Sequence, residues 1–327
     1  MSPSGVMIEI DLNAVIVSVD QSTPYVLTVP HASRQGEQGL PYGPFDPLQH
    51  RTFEIGLRSF VEMQTALKLG HVEQLYTFGD RGRHMVSPEA KPHVVSVGYL
   101  ALTRQTPESD EILAAQGAKW RSWYDFFPWE DWRQGKPALL EEAMFPLLRD
   151  YCDQPHGPDM PSGTISHRDR FQLSFGAGSG VWDEERALDR YEMLYGAGLT
   201  YEARRDGRPE AKHCDEIPPF GESMTFDHRR ILATALSRLR AKLKYRPVVF
   251  ELMPPEFTLT DLQRTVEAIS GQHLHKQNFR RLVEGAHLVE PTGRLSTATG
   301  GRPAALYQFR RDILTERPTL GLRVGRH

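Results

Sequence analysis

The sequence predicts an α+β chain, in which a mixed α/β sandwich domain with a large insertion is followed by a C-terminal winged helix-turn-helix domain. Strand-like and helix-like patterns alternate over the first hundred residues. From Asp227 onward, clean amphipathic helices give way to a small hairpin. The charge also divides: residues 228–327 hold 18 Lys and Arg against 8 Asp and Glu, a net +10, so the first 227 residues carry −13 of a chain whose total is −3. A length of 327 residues fits about two domains. The expected boundaries are 1–224, with the insertion at 104–218, and 225–327.

Composition excludes several classes. With 39% hydrophobic and 25% charged residues the chain is neither disordered nor fibrous. No apolar run approaches the roughly 18 residues of a membrane span, and no leader pattern opens the chain, so a cytoplasmic location without membrane contact is expected. Two cysteines, Cys152 and Cys214, are too few for a disulfide framework and stand in no CxxC pair, so both read as structural thiols.

The elements follow in order. Residues 7–19 and 24–30 are rich in β-branched residues and read as a hairpin. After the Gly/Pro-rich LPYGPFDP, apolar residues Phe53, Leu57, Phe60, Val61 and Leu67 fall at helical spacing. VEQLYTFGD and HVVSVGYLALT read as strands, the second long enough to be central. From 103 to 218, clusters such as WYDFFPWEDW alternate with polar Pro/Gly stretches, which marks the insertion. Within it, residues 182–199 have helical spacing and end at glycines. Ile231, Leu232, Ala235, Leu236, Leu239 and Leu243 then form the broad stripe of one helix, a connector whose other face carries Arg230, Arg238 and Lys242.

The segment FTLTDLQRTVEAISGQHLHKQNFRRLVEG contains two short helices. Thr260 and Gln263 fit a capping box, Leu262, Val266 and Ile269 form a buried stripe, and Gly271 stops the first helix. The second buries Leu274, Phe279, Leu282 and Val283. His275, Lys276, Gln277, Asn278, Arg280 and Arg281 are left outward, side chains that read base edges or meet phosphates from a major groove. Beyond it, two apolar edges around a Gly/Ser/Thr loop read as a wing, with Arg294 and Arg302 placed for the sugar-phosphate backbone. Double-stranded DNA is the expected partner; a winged helix used only for protein contacts is the alternative.

The run LPYGPFDPLQHRTFEIGLRSFVEMQTAL, residues 40–67, resembles a Nudix box from which the metal ligands have gone. Gln49 stands where a glutamate is expected, Leu57 and Arg58 occupy the Arg-Glu pair, Val61 and Glu62 the Glu-Glu pair, and Gln64 replaces the glycine. Magnesium needs several oxygen ligands on one helix face, and only Glu54 and Glu62 remain, with cationic Arg58 between them. The expectation is therefore no catalytic residue, no bound metal and no required cofactor. Tyr42, Arg58 and Glu62 become candidate effector contacts, since a guanidinium suits phosphate. Arg58 can equally pair with Glu54 or Glu62 at i,i+4. The enzymatic alternative is an active ADP-ribose pyrophosphatase with a displaced metal site built from Asp183, Glu184 and Glu185, residues that also suit a solvated first helical turn.

The box remnant, VEQLYTFGD, VVSVGYLAL and above all FDHRRILATALSRLRAKLKYRPVVFELMPPEFTLTDLQ, NFRRLVE and GRPAALYQF resemble the NrtR-like, Nudix-related transcriptional regulators of NAD metabolism, in particular the alphaproteobacterial NadQ-like subgroup. The resemblance is moderate over residues 7–103 and strong over 225–310. It implies a homodimeric repressor of NAD biosynthesis genes, with a palindromic operator and a nucleotide effector such as ADP-ribose, NAD or ATP.

Overall fold

The computed structural model describes residues 7–31, 36–80, 83, 93–153, 165–178, 180–213, 219–245, 247–296 and 303–310. The expected hairpin opens the fold as β1 (Ile8–Asp20) and β2 (Thr23–Pro30), paired antiparallel. Its two-residue loop, Gln21 and Ser22, has φ of 43° and 68°, the left-handed pair that matches the twist of a tight hairpin. Short strands β3 (Gln38–Gly39) and β4 (Tyr42–Pro44) add to β2 and β1. Helix α1 (Phe53–Thr65) follows, N-capped by Thr52. Strand β5 (Val72–Phe78) leads to β6 (His93–Leu102), which lies parallel to β1 and antiparallel to β5 and so is central, as its length predicts.

The segment expected to be an insertion is built into this domain. It supplies α2 (Pro107–Ala115), then β7 (Lys119–Ser122), which pairs with β2 in the main sheet, then α3 (Trp123–Phe126). Helices α4 (Phe145–Asp153), α5 (His167–Phe175), α6 (Ala187–Gly196) and α7 (Tyr201–Arg205) follow. The aromatic cluster that made it look irregular is core: Trp123, Phe126, Phe127 and Trp129 are all buried. Cys152 is a partly buried free thiol packed against that core; Cys214 lies outside the described residues.

Helix α8 (His228–Tyr245) buries every residue of its expected stripe. It packs on α6 and on the sheet while also touching α9 (Leu259–Ser270). The chain continues through α10 (Lys276–Ala286) into the antiparallel pair β8 (Val289–Ser296) and β9 (Ala304–Phe309).

Strand β1 explains the layering. Leu12, Ala14 and Ile16 point to one face and pack with Leu57 and Val61 of α1; Val15 and Val17 point to the other and join the cluster with α8. Because both faces are covered there, Ala14, Val15, Ile16 and Val17 form a continuous apolar run. The cluster with α8 also includes Leu262, Ile269, Phe279 and Val283, so a single core passes through both halves of the chain. No helix among the described residues is long and apolar enough to cross a membrane.

Candidate nucleic-acid interface

The helix-turn-helix is set by local chemistry. Thr258, rather than Thr260, caps α9: its hydroxyl accepts from the Asp261 N–H, and the Asp261 carboxylate accepts from the Thr258 N–H. The expected capping box was two residues late because Leu259, ahead of Thr260, is itself buried in the helix. Gly271 ends α9 at φ 72°, as the sequence predicts. Two side chains of α9 hold the turn that follows. Glu267 accepts from the Leu274 N–H at 2.8 Å, and the Gln263 amide donates to the Leu274 carbonyl at 2.8 Å.

Helix α10 buries Phe279 and Val283, with Leu282 and, just before the helix, Leu274 packed more loosely. His275, Lys276, Gln277, Asn278, Arg280 and Arg281 are all exposed. None of the six uses its side chain in a hydrogen bond or ion pair among the described residues. No side chain caps the start of α10, so its first N–H groups and positive dipole end are open to an anion. The structure thus brings all six candidates onto one outward surface.

The wing candidates fare differently. Strand β8 runs on to Ser296, which places Arg294 in a strand, beside a bulge and next to Gly293 at φ 77°, and not in the loop expected for it. Its guanidinium is paired with Glu256. Arg302 lies outside the described residues.

The net +10 of residues 228–327 is not free charge available to DNA. On α8, Arg229 pairs with Glu202, Arg230 with Asp80, Glu192 and Asp227, Arg240 with Glu130, Lys242 with Glu73, and Lys244 with Glu184 and Glu185. These cations are complements of the acidic first half. Over residues 249–309, Lys and Arg number six and Asp and Glu six, and three of the six cations, Lys276, Arg280 and Arg281, lie together on α10.

On the Nudix-like face, Arg58 is already occupied. Its Nε and Nη2 donate to Glu54 at 3.0 and 2.8 Å, and Nη1 and Nη2 donate to the Leu69 and Gly70 carbonyls. The guanidinium closes the loop between α1 and β5, and its bond to Glu54 is the i,i+4 pairing that the sequence allows beside a phosphate contact. Glu62 is exposed, 3.9 Å from Lys68. Tyr42 has its backbone held by Gln64 of α1 and its ring against His31, Phe226 and His228.

Among the described residues no three His, Cys, Asp or Glu side chains are grouped to hold a metal ion. The displaced site is not assembled either. Asp183 caps the turn at 184–186 by accepting from the Glu185 N–H, while Glu184 and Glu185 both pair with Lys244.

Sequence reasoning missed a buried charge cluster at the junction of the halves. Glu130, Arg190 and Arg240 are fully buried. Arg190 is bidentate to Glu130 at 2.5 and 2.8 Å, and Arg240 donates to the same carboxylate. Burial alone would raise the Glu130 carboxyl, but the two guanidinium groups outweigh it and hold it below the usual range. A signal was present: Arg229, Leu236, Arg240 and Leu243 share one helical stripe.

Among known families, residues 249–309 match the NrtR DNA-binding winged helix domain. The ADPR responsive transcriptional repressor NtrR of Acinetobacter baylyi is 36% identical over 120 residues, 36% of this chain and 48% of that protein. The matched part of this chain thus spans about half the length of that curated relative. Among solved structures, Shewanella oneidensis NrtR complexed with a 27mer DNA aligns at TM-score 0.54 and 21% identity, covering 96% of this chain and 98% of the other. A MutT/nudix family protein from Enterococcus faecalis aligns at TM-score 0.51 and 16% identity, covering 95% and 89%. At these identities the likeness is one of fold. The chain therefore has the fold of a Nudix-like mixed α/β domain followed by a C-terminal winged helix domain, the latter matching the NrtR DNA-binding winged helix domain over residues 249–309.

Proposed function

We propose that this chain is a DNA-binding transcriptional repressor of NAD biosynthesis genes, close to the NadQ-like subgroup, controlled by a nucleotide bound in a Nudix-like domain that does not hydrolyse it. The observation that carries the reading is the surface of α10. Six side chains able to donate to phosphates or base edges are exposed, and without a partner among the described residues, on the second helix and its N-cap in a domain that matches the NrtR winged helix. A solvated structural helix has no need to keep Lys276, Arg280 and Arg281 clear of carboxylates, whereas the cations of α8 are all but one paired.

In this reading His275, Lys276, Gln277, Asn278, Arg280 and Arg281 meet the major groove, Gln277 and Asn278 reading bases and the cations meeting phosphate. Backbone phosphates are assigned to Arg294, on its release from Glu256, and to Arg302. The working unit is a homodimer, because a single module buries too little surface for operator affinity. The division at residue 225 is functional: 1–224 bind the effector and 225–327 bind DNA. ADP-ribose is the first effector to test, since the Acinetobacter relative is named for its response to it; NAD and ATP are next. Its contacts are sought at Tyr42 and Glu62, with Arg58 shaping the loop between them and β5.

Loss of hydrolysis follows from Gln49, Leu57, Arg58 and Val61, which leave magnesium too few ligands. Two measurements test the reading together. The full chain should retain a subset of duplexes from a random pool, and ADP-ribose, without being consumed in magnesium, should raise its melting temperature by mass action. Turnover of ADP-ribose that EDTA abolishes would overturn the non-hydrolytic part, and failure to retain any duplex would overturn the whole.

A further inference from the structure

The C-terminal end of α9 is held from two sides, by the segment before α4 and by α8. A helix leaves its last carbonyls without intrahelical donors, and buried carbonyls must find partners elsewhere. Here the donors come from outside residues 249–309, the part that matches the winged helix domain. The Tyr124 hydroxyl donates to the Ala268 carbonyl at 2.8 Å, Arg240 Nε donates to the Ile269 carbonyl at 2.9 Å, and the Trp132 N–H donates to the Gly271 carbonyl at 2.7 Å. Tyr124 and Trp132 belong to the segment before α4, and Arg240 to α8.

Arg240 is the hub of this clasp. Besides Ile269 it donates to the carboxylate and the carbonyl of Glu130 and to the Glu184 carbonyl. Its partner carboxylate is oriented in turn by Arg190, whose guanidinium lies 3.8 Å from the Trp182 ring centroid. A residue with four hydrogen-bonding positions fixed on three separate segments has one orientation available. The carbonyl at the end of α9 has to meet it.

We propose that Arg240, oriented by Glu130 and Arg190, is the positioning residue that sets the helix-turn-helix against the first half of the chain at one fixed angle. The DNA-binding half is then a rigid extension of the Nudix-like half and not a module on a tether. Given the DNA-binding reading above, on which this consequence rests, the clasp sets the spacing at which two copies of α10 can meet two half-sites.

The test uses the full chain with Arg240→Met, which leaves the Glu130–Arg190 pair neutral and buried, and with Tyr124→Phe, which removes one hydroxyl and nothing else. Hydrogen exchange is followed peptide by peptide. The amides of 259–270 should exchange about tenfold faster or more in Arg240→Met, and by a smaller factor in Tyr124→Phe, while those of 231–243 keep their protection. Uniform acceleration throughout the chain, or none within 259–270, overturns the proposal. Where Arg240→Met fails to fold, Tyr124→Phe decides by the same criterion. On duplexes retained by the unaltered chain, five inserted base pairs between half-sites should abolish binding of that chain but be tolerated by Arg240→Met; equal sensitivity overturns the rigid coupling. If the unaltered chain retains no duplex, the DNA-binding reading fails while hydrogen exchange still decides the clasp.

Discussion

Three glycines isolate what the contact at the end of α9 is worth. Gly271 and Gly293 both lie in the left-handed region, at φ 72° and 77°, where an alanine costs about 1–2 kcal/mol. Around Gly293 an added methyl would meet nothing within 4 Å. At Gly271 it would sit 2.3 Å from the Glu130 carbonyl oxygen, 2.9 Å from Arg240 Nη2 and 3.0 Å from the Tyr124 hydroxyl. Relief requires the backbones to part by about 1 Å, which stretches the three bonds from Tyr124, Arg240 and Trp132 to α9, each worth about 1 kcal/mol. Gly271→Ala should therefore destabilise the chain by about 2–5 kcal/mol, against about 1–2 for Gly293→Ala. Gly285, inside α10 with open space around it, is the control; Gly285→Ala should stabilise by up to about 1 kcal/mol. Denaturant unfolding followed by tryptophan fluorescence, with Trp129 and Trp132 beside the clasp, measures all three. If Gly271→Ala is no more damaging than Gly293→Ala, the contact contributes nothing and the reasoning fails.

Other expectations follow from single groups. Asp227 is buried, and desolvation pushes its pKa up to about 7 against the attraction of Arg230 and Arg83, so the folded chain holds this proton more tightly than the unfolded chain. Stability should fall as pH rises between about 4 and 7, and Asp227→Asn should flatten that slope, with Asp11, raised to about 6, leaving a remainder; parallel curves for the two proteins would refute this. Arg58→Ala should lower stability by about 1 kcal/mol through the lost loop bonds while leaving the ADP-ribose thermal shift in place; loss of that shift would restore Arg58 as a ligand contact. Gln277→Ala or Asn278→Ala should cost roughly 1–3 kcal/mol on retained duplexes and little on random DNA, measured by competition titration. Equal losses on both would remove these amides from base reading.

Periodicity made most of the fold legible. The apolar stripe of α8 and the paired helices follow from spacing, and the central place of β6 from its length, because packing dictates those positions. The cap of α9 was misplaced by two residues, since Thr258 and Thr260 offer the same hydroxyl and only burial of Leu259 separates them. The charge asymmetry does not translate into free cations, for a deeper reason. Sequence counts Arg229, Arg230, Arg240, Lys242 and Lys244 as available cations, but each meets a carboxylate 27 to 169 positions away, a pairing no local pattern reveals. The α10 surface was legible because its polar residues fall together on a short amphipathic helix, whereas Arg294 was placed by a loop boundary that the strand overran.

The salt dependence of DNA affinity tests the central claim most directly. Affinity of the full chain for a retained duplex should fall linearly on logarithmic axes as salt rises. The variant carrying Lys276→Ala, Arg280→Ala and Arg281→Ala should show a slope shallower by about 0.9 for each phosphate contact removed. If the triple variant keeps the affinity and slope of the unaltered chain, the outward surface of α10 is not the DNA interface.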